Sequence, residues 1–419
     1  MLKCGLLGQK LGHSYSPAIH GMLAGYDYQL FEREPEQLED FLKNGPWEGL
    51  NVTIPYKKTA YALCDSLSPM ARETGNVNTL LRQRDGSIFG DNTDAFGFRY
   101  LLEKTGVPVA GKRALVLGTG GAAGTVCTVL RQMGAAVTAL SRTEKTGDFY
   151  GKNSGILYST YRHISQYKDA QIIVNATPVG MYPHNGEAPV DLELFPNLCL
   201  AADLIYNPAW TALLLQAEKL GIPCAGGLSM LAAQAAASAA LFLGETMDIS
   251  KISQAESALR RRTENLVLIG MPGSGKTTLA RLLGAATGRP AWDCDEEIVR
   301  RTGLSVEEIF DRWGEEKFRE LETEVLGDLG SRWGGILATG GGCVTRPENR
   351  DLLRQNGKVI WLQRDIGRLQ APGRPLLRRN DLAELYRQRH ALYESFSDGT
   401  ILNNGAPEDA LRRLKECIE

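Results

Sequence analysis

Gly270-Met271-Pro272-Gly273-Ser274-Gly275-Lys276-Thr277 is a complete G-x-x-x-x-G-K-[ST] phosphate-binding loop. The apolar run from Asn265 to Ile269 before it reads as a buried strand, and Leu279 to Ala286 after it reads as a helix. Strand, glycine loop, helix is the setting the motif requires, and a chance Gly-rich turn would lack it. The glycines let backbone N–H groups turn toward phosphate oxygens. Lys276 reaches the β- and γ-phosphates, and the Thr277 hydroxyl is placed for Mg²⁺. The loop divides the chain into a long front part and a shorter back part, and each needs its own account.

A chain of 419 residues is too long for one core, so two or three domains are expected. Hydrophobic residues make up 43% and charged residues 23%, which is the balance of a soluble globular protein. The net charge of −2 gives no general field for nucleic acid or an anionic membrane, so neither is expected as a partner and any anion site must be local. The eight cysteines are scattered without a C-x-x-C pair, which argues against a zinc site or disulfide framework and fits a reducing cytoplasm. Met1 to Gly8 starts directly as strand and turn, too quickly polar for a signal peptide, and no apolar run reaches membrane-spanning length.

In the front part, Gly12-His13-Ser14-Tyr15-Ser16-Pro17 places two hydroxyls on one side of an extended loop, which suits a carboxylate or polyol. The same residues also read as a helix start, with Ser16 as cap and Pro17 in the first turn. In Leu50-Asn51-Val52-Thr53-Ile54-Pro55-Tyr56-Lys57, apolar residues alternate with Asn51 and Thr53, and Pro55 ends the strand just before Lys57. A lysine there is ordinarily only solvated. Asn76-Val77-Asn78-Thr79 and Asp91-Asn92-Thr93-Asp94 again put small polar residues where strands stop. Four polar strand ends point to one shared cleft.

These segments, in this order, resemble shikimate dehydrogenase. The resemblance implies that Ser14 and Ser16 hold the substrate carboxylate. It implies that Asn51, Thr53, Asn78 and Asp94 bind ring hydroxyls, and that Lys57 and Asp94 form the catalytic pair. The chemistry agrees: reducing a ketone leaves an alkoxide that needs a proton, and a lysine beside a carboxylate can supply it. The family's usual Asn-Thr-Asp-Gly ends here in Ala95, a small departure at a turn.

Residues 114–117 read as a strand running into Gly118-Thr119-Gly120-Gly121-Ala122, then a helix to Met133 and a strand at 137–140. This is a dinucleotide-binding fingerprint, with Gly118, Gly120, Gly121 and Ala122 beside the pyrophosphate. An Asp or Glu at the end of the second strand would suit NAD. The chain instead has Arg142 and Thr143, with Lys145 nearby, so NADP(H) is expected. Arg142 as a solvated strand-end charge is the competing reading. Asn175-Ala176-Thr177-Pro178 and Asp203-Leu204-Ile205-Tyr206 extend the resemblance. It implies that Tyr206 borders nicotinamide and substrate, that Gln234 touches substrate, and that Gly227 and Met230 lie near the nicotinamide; Met230 reads equally as a core contact.

Apolar periodicity weakens from Glu245 to Glu264, and Arg260-Arg261-Arg262 reads as a solvated linker run. Behind the phosphate loop, Asp293 and Asp295 alternate at a strand end and can face one site. Gly314-Glu315-Glu316-Lys317-Phe318-Arg319, Gly340-Gly341-Gly342 and Arg374-Pro375-Leu376-Leu377 follow. Together they resemble shikimate kinase over nearly all of residues 264–419. The resemblance implies that Gly273, Ser274, Gly275, Lys276, Thr277 and Thr278 hold ATP, and that Thr277 and Asp293 hold Mg²⁺. It further implies that Asp295 binds and activates the substrate hydroxyl, that Arg319 and Arg389 clamp the carboxylate, and that Gly341 and Gly342 line the substrate. Arg374 would come from a lid onto the transferring phosphoryl group. Arg368 stacks on adenine or is a plain surface residue.

The expected architecture is α/β. A substrate-binding α/β domain covers 1–100 with a returning helix at 226–250, and a Rossmann-like NADP domain covers 101–225. A linker at 251–263 leads to a P-loop nucleoside-monophosphate-kinase-like α/β domain at 264–419, with parallel sheets throughout. The resemblances imply a bifunctional enzyme of aromatic amino acid biosynthesis, a cytoplasmic monomer or homodimer. NADPH would reduce 3-dehydroshikimate to shikimate, and MgATP would phosphorylate shikimate to shikimate 3-phosphate. The rival is a sensor that binds shikimate or quinate with one or both catalytic halves inactive. A sensor would keep the binding glycines and lose the chemistry, yet Lys57, Asp94, Lys276, Thr277, Asp295 and Arg374 are all present. Quinate as a side substrate stays open.

Overall fold

Apolar runs that end in a glycine or a small polar residue form most of the strands. The computed structural model describes residues 1–12, 14–144, 155–369 and 382–418, and its chain divides into Met1–Leu259 and Arg260–Glu419. Among the described residues the first unit holds two sheets. One is built from β1 (Lys3–Gly8), β2 (Asp27–Glu32), β3 (Gly49–Val52), β4 (Ser66–Leu67), β5 (Thr79–Arg82) and β6 (Ile88–Asp91), in the order β2-β1-β3-β5-β6-β4. This sheet is mixed, not parallel throughout as expected: β5 runs antiparallel to both β3 and β6. The reason is local. Only residues 83–87 join β5 to β6, a connection too short for a parallel crossover, and the Asp85 carboxylate accepts the Ser87 N–H at 3.0 Å to fix the turn. The pairing sets Asn51 opposite Thr79 and Thr79 opposite Asp91, so three polar positions lie abreast.

The second sheet comprises β7 (Arg113–Leu117), β8 (Ala136–Ser141), β9 (Leu157–Thr160), β10 (Ile172–Asn175), β11 (Leu200–Asp203) and β12 (Cys224–Ala225). Its order is β12-β11-β10-β7-β8-β9, and every pair is parallel. Leu117, Asn175 and Asp203 share one register row, so the loops after β7, β10 and β11 leave from the same edge. Such an edge is where open α/β sheets bind ligands. Ala114 and Val116 enter one apolar cluster and Leu115 and Leu117 another, as two-sided burial of a parallel sheet requires.

The helices Thr93–Thr105 and Leu228–Leu243 pack together at Gly97, where a Cβ would stand 2.6 Å from the Met230 carbonyl. Any side chain there would drive the helices apart and separate Asp94 from Gln234. Residues 251–263, expected as a linker, lie within a helix, Ile249–Thr263. Ile252, Ala255, Glu256 and Leu259 form its buried stripe, and Lys104 pairs with Glu256 at 2.6 Å.

In the second unit, β13 (Asn265–Ile269), β14 (Ala291–Asp293), β15 (Ile336–Ala338), β16 (Gly357–Gln363) and β17 (Gly399–Leu402) form a parallel sheet ordered β14-β15-β13-β16-β17. Val267 and Ile269 face one core, Leu266 and Leu268 the other. Fully burying each such side chain contributes about 1.5–3 kcal/mol. The helix Val306–Gly330, which carries Arg319, is broken at Gly314 (φ 82°, ψ 173°). Among the described residues no helix is long and apolar enough to cross a membrane.

Two candidate active sites

In the first unit Lys57, Asn78 and Asp94 come together beside Asn51. Lys57 opens the short helix Lys57–Ala62, and Asp94 lies in the first turn of Thr93–Thr105. The two form an ion pair whose side chains are 18% and 11% exposed. Asn78 Nδ2 donates to Asp94 Oδ1 at 2.8 Å, to Thr93 Oγ1 at 3.0 Å and to Gln234 Oε1 at 3.4 Å. Asn51 Nδ2 donates to Ser238 Oγ at 2.8 Å, while its Oδ1 accepts from Tyr28 at 2.8 Å. Thr53 is half-buried at the end of β3. Ser16 is the first residue of the helix Ser16–Leu23, so the helix-start reading holds, with Tyr15 rather than Ser16 at the cap position. Ser14 Oγ accepts the Ser16 N–H at 3.2 Å, which ties the two serines together. Tyr206 packs on Tyr15 with ring centroids 5.2 Å apart; His13 lies outside the described residues.

The structure adds residues that motif reading passed over. Ser238 bonds with Asn51, Thr79 and Thr93, at 2.8, 2.9 and 3.0 Å. It lies four residues after Gln234 on one helix, hence on the same face; that spacing was the available signal. His20 is buried, with Nδ1 2.5 Å from the Tyr26 hydroxyl and its ring stacked on Tyr28 at 4.0 Å. Burial pushes its imidazole down to about 3, against a smaller upward pull from Asn51.

Across the second sheet's edge, the helix Gly121–Gln132 starts at Gly120 with no side-chain cap, leaving its first N–H groups available. A Cβ on Gly120 or Gly121 would meet nothing within 4 Å, so these backbones border open space. Ala122 is half-buried, and Arg142 and Thr143 are exposed beyond β8. An uncapped helix end beside an exposed arginine fits a pyrophosphate and a 2′-phosphate. Gly227 is buried so tightly that a Cβ would lie 2.1 Å from the Leu204 carbonyl. Met230 sits in the apolar cluster that holds Phe98 and Ala202, in keeping with its core reading. Lys145 lies outside the described residues.

In the second unit the phosphate loop takes positive φ at Gly273 (78°) and Gly275 (97°), which side-chain-bearing residues resist. Lys276 Nζ folds back onto the carbonyls of Gly270 and Met271 at 2.8 and 3.0 Å. Ser274 is buried, Thr278 follows in the helix Lys276–Thr287, and Asn403 Nδ2 clamps the Ser274 carbonyl at 2.8 Å. Thr277 Oγ1 donates to Asp293 Oδ2 at 2.6 Å. Asp293 also caps the helix Cys294–Thr302 through the N–H groups of Asp295 and Glu296. No group of three or more His, Cys, Asp or Glu side chains gathers as a metal cage among the described residues. Two hard oxygen donors next to a phosphate loop do suit Mg²⁺, which typically keeps waters and takes its other oxygens from phosphates.

Arg319 is 5% exposed and Glu322 0%. Arg319 Nη1 donates to Glu322 Oε2 at 2.6 Å and Nη2 to Glu315 at 3.2 Å. Burial pushes the Glu322 carboxyl up, and Arg319 pulls it back. The glycine run closes over this pair: a Cβ on Gly340 would lie 2.1 Å from Glu322 Oε1 and 3.0 Å from Asp295 Oδ1, and one on Gly342 would lie 2.2 Å from Arg319 Nη2. Arg389 Nη1 and the Tyr393 hydroxyl both donate to the Gly341 carbonyl, at 3.0 and 2.5 Å. Asp295, Arg319, Gly341, Gly342 and Arg389 thus border one site. Arg368 is exposed and donates to the Asn404 carbonyl, while Arg364, not singled out from the sequence, reaches the Gly273 carbonyl at 3.4 Å. Arg374 lies outside the described residues.

Comparison with known proteins joins these geometries to families. Residues 6–80 match the family model "Shikimate dehydrogenase substrate binding domain", and residues 272–419 match "Shikimate kinase". The shikimate dehydrogenase (NADP(+)) of Thermus thermophilus is 37% identical over 263 residues, which cover 61% of this chain and 97% of that protein. The chain belongs to the shikimate dehydrogenase family. A shikimate kinase domain follows in the same chain. Among solved structures, a chorismate mutase/shikimate 5-dehydrogenase fusion protein from Clostridium acetobutylicum superposes with a TM-score of 0.58 and 38% identity, covering 62% of this chain and 97% of that one. A Thermus thermophilus shikimate 5-dehydrogenase in complex with NADP(H) and shikimate gives a TM-score of 0.56 and 36% identity, covering 62% and 99%.

Proposed function

We propose that this chain performs two consecutive reactions, NADPH-dependent reduction of 3-dehydroshikimate to shikimate and ATP-dependent phosphorylation of shikimate to shikimate 3-phosphate. The Lys57–Asp94 ion pair, held by Asn78 among hydroxyl and amide groups, carries the first half of this assignment. Ser14 and Ser16 hold the substrate carboxylate, and Asn51, Thr53, Asn78, Asp94 and Gln234 orient the ring. The Lys57 ammonium sits against the carbonyl oxygen, stabilises the growing negative charge and delivers a proton to it. Asp94 orients Lys57. Gly118, Gly120, Gly121 and Ala122 would seat the dinucleotide pyrophosphate, with Arg142 and Thr143 at the 2′-phosphate, Gly227 and Met230 toward the nicotinamide, and Tyr206 bordering both nicotinamide and substrate. When bound, NADPH supplies the two electrons and the hydrogen that the carbonyl carbon gains.

In the second unit Asp295 takes the proton of the attacking hydroxyl. Arg319 and Arg389 hold the carboxylate with paired N–H donors, and Gly341 and Gly342 leave room for the ring. The phosphate-loop N–H groups from Gly273 to Thr278, with Lys276, neutralise the transferring phosphoryl group; Arg374 belongs to the same charge set and Arg368 to the adenine side. Thr277 and Asp293 would hold Mg²⁺, which offsets phosphate charge. The domain limits follow the two reactions: 1–100 with 226–250 for substrate, 101–225 for NADP, 264–419 for phosphorylation. The protein acts in the cytoplasm as a monomer or homodimer on small molecules.

The test uses purified protein with 3-dehydroshikimate, NADPH and MgATP. NADPH loss is followed by absorbance and shikimate 3-phosphate by mass spectrometry. Lys57→Ala should abolish NADPH oxidation and leave phosphorylation of added shikimate intact; Lys276→Ala should do the reverse. NADPH consumption without a phosphate ester, even with added shikimate, would remove the kinase half.

A further inference from the structure

Asp203, at the end of β11, is a fully buried carboxylate that neither reaction uses. Among the described residues it has no charged partner; burial alone pushes its carboxyl up to about 6, against the pull of its hydrogen bonds. Its oxygens collect donors instead. Asn175 Nδ2 stands 3.1 Å from both, the Ile205 N–H donates at 3.0 Å and the Thr211 hydroxyl at 2.7 Å. A buried carboxylate without a cation is costly unless its lone pairs are filled, and these are.

The donors lead in two directions. Asn175, also fully buried, accepts the Thr177 N–H at 3.0 Å and its hydroxyl at 2.7 Å, and donates to the Val179 carbonyl at 3.0 Å. That loop is the wall of the first glycine turn: a Cβ on Gly118 would lie 2.9 Å from the Ala176 carbonyl and 3.0 Å from Thr177 Cγ2. On the other side, Ile205 precedes Tyr206, and its carbonyl accepts the Gly227 N–H at 3.0 Å. An amide at position 203 would offer one accepting oxygen, whereas an ionised carboxylate offers lone pairs for all of these contacts.

We propose that Asp203 is a positioning residue for the dinucleotide groove, fixing the 176–179 wall through Asn175 and the Tyr206–Gly227 side through Ile205. This rests on the NADPH-dependent reductase function above. Its loss loosens the wall beside Gly118 and the backbone that Gly227 holds, so it weakens NADPH more than shikimate, whose contacts other than Tyr206 lie on Ser14, Ser16, Asn51, Thr53, Asn78, Asp94 and Gln234.

The experiment measures NADPH dissociation constants by fluorescence titration, shikimate dissociation constants by calorimetry, and KM and kcat, on the full chain carrying Asp203→Asn, Asp203→Leu or Asn175→Ala. NADPH binding should weaken about tenfold or more in Asp203→Leu and Asn175→Ala, with Asp203→Asn intermediate, since unsatisfied buried groups cost of that order. KM for NADPH should rise by a larger factor than the dissociation constant of shikimate in the first unit, and the phosphorylation of shikimate should stay near wild type. Folded variants that melt earlier yet keep wild-type NADPH affinity would overturn the proposal and leave Asp203 a purely structural residue. If Asp203→Leu does not fold, Asn175→Ala decides, because it keeps the carboxylate with its Ile205 and Thr211 donors. NADPH binding needs no turnover, so the two ideas fail separately. Wild type that binds NADPH without reducing 3-dehydroshikimate ends the reductase function and leaves Asp203 to be judged on affinity. Wild type that does not bind NADPH ends both.

Discussion

Glu322 shows how a residue outside every phosphate or substrate motif can govern a site. It is wholly buried and touches Arg319 at 2.6 Å. Arg319 is itself too deep for water to replace that partner. Removing one member of a buried ion pair costs about 3–5 kcal/mol when the other charge is left stranded; here Glu315, at 3.2 Å, stays with Arg319 and sets that range as the upper limit. Glu322→Ala is therefore expected to lower the stability of the 260–419 unit by up to about that amount and to raise KM for shikimate in the phosphorylation assay. NADPH oxidation should not change. The check is a denaturant titration beside both assays; an unchanged KM for shikimate would mean that Arg319 does not need Glu322 to hold its orientation. The sequence hides this residue for a plain reason: a Glu three positions after an Arg on a helix is an everyday surface pair. In the fold the glycine run packs across it and it is buried.

At the scale of elements, glycines decide what can come close. Gly342 has an ordinary φ of −105°, so an alanine there meets no backbone strain. Its Cβ would nevertheless stand 2.2 Å from Arg319 Nη2. Arg319 is fixed by Glu322 and must swing away. Gly342→Ala should reduce kcat/KM for shikimate phosphorylation about 100-fold, the scale of loss that a misplacement of about 1 Å brings, while leaving NADPH oxidation intact. Steady-state kinetics of both reactions on one preparation settle it, and a kinase unaffected by the alanine would place the carboxylate clamp elsewhere. The strand-loop-helix units around Gly118 and Gly270 were legible in advance because periodicity, glycine spacing and length all agree there. The helix at 249–263 was less so, since its buried stripe of Ile252, Ala255 and Leu259 is diluted by Arg260, Arg261 and Arg262. The antiparallel β5 is marked in the sequence by Asp85-Gly86, a hairpin turn signal, but the polar strand ends on either side also suit a parallel sheet, and only the short connection from β5 to β6 decides between them. Asn51, Asn78 and Asp94 read as one cleft from their strand ends, whereas Asp203 stands in the sequence only as the first residue of the Asp203-Leu204-Ile205-Tyr206 segment. Its burial comes from the packing of β10 against β11, which no local pattern encodes.

For the whole molecule, two buried titratable groups in the first unit pull acid stability in opposite directions. The folded state lowers His20 from 6.5 to about 3, so between those values the unfolded chain binds the extra proton and stability is lost as pH falls. The folded state raises Asp203 from 3.8 to about 6, so between those values the folded chain binds the extra proton and stability is gained as pH falls. The windows overlap from about pH 6 to about pH 4, where each slope is about 1.4 kcal/mol per pH unit and the two offset one another. The net charge of −2 counts Asp203 as ionised and His20 as neutral, and so carries neither shift. His20→Gln keeps a neutral hydrogen-bonding side chain beside Tyr26; it loses the stacking on Tyr28, a cost that does not vary with pH, and removes the titration. Relative to wild type it should gain stability on acidification across that window, by up to about 1.4 kcal/mol per pH unit. Urea titrations of the full chain at several pH values measure this, reading the transition that NADPH shifts upward, since ligand binding marks the unit that holds it. Parallel pH profiles for wild type and variant would mean that His20 titrates alike in both states. A profile that separates below about pH 6.5 would show that the aromatic wall behind Asn51 keeps its histidine neutral, so that acid acts on this unit through the unfolded chain.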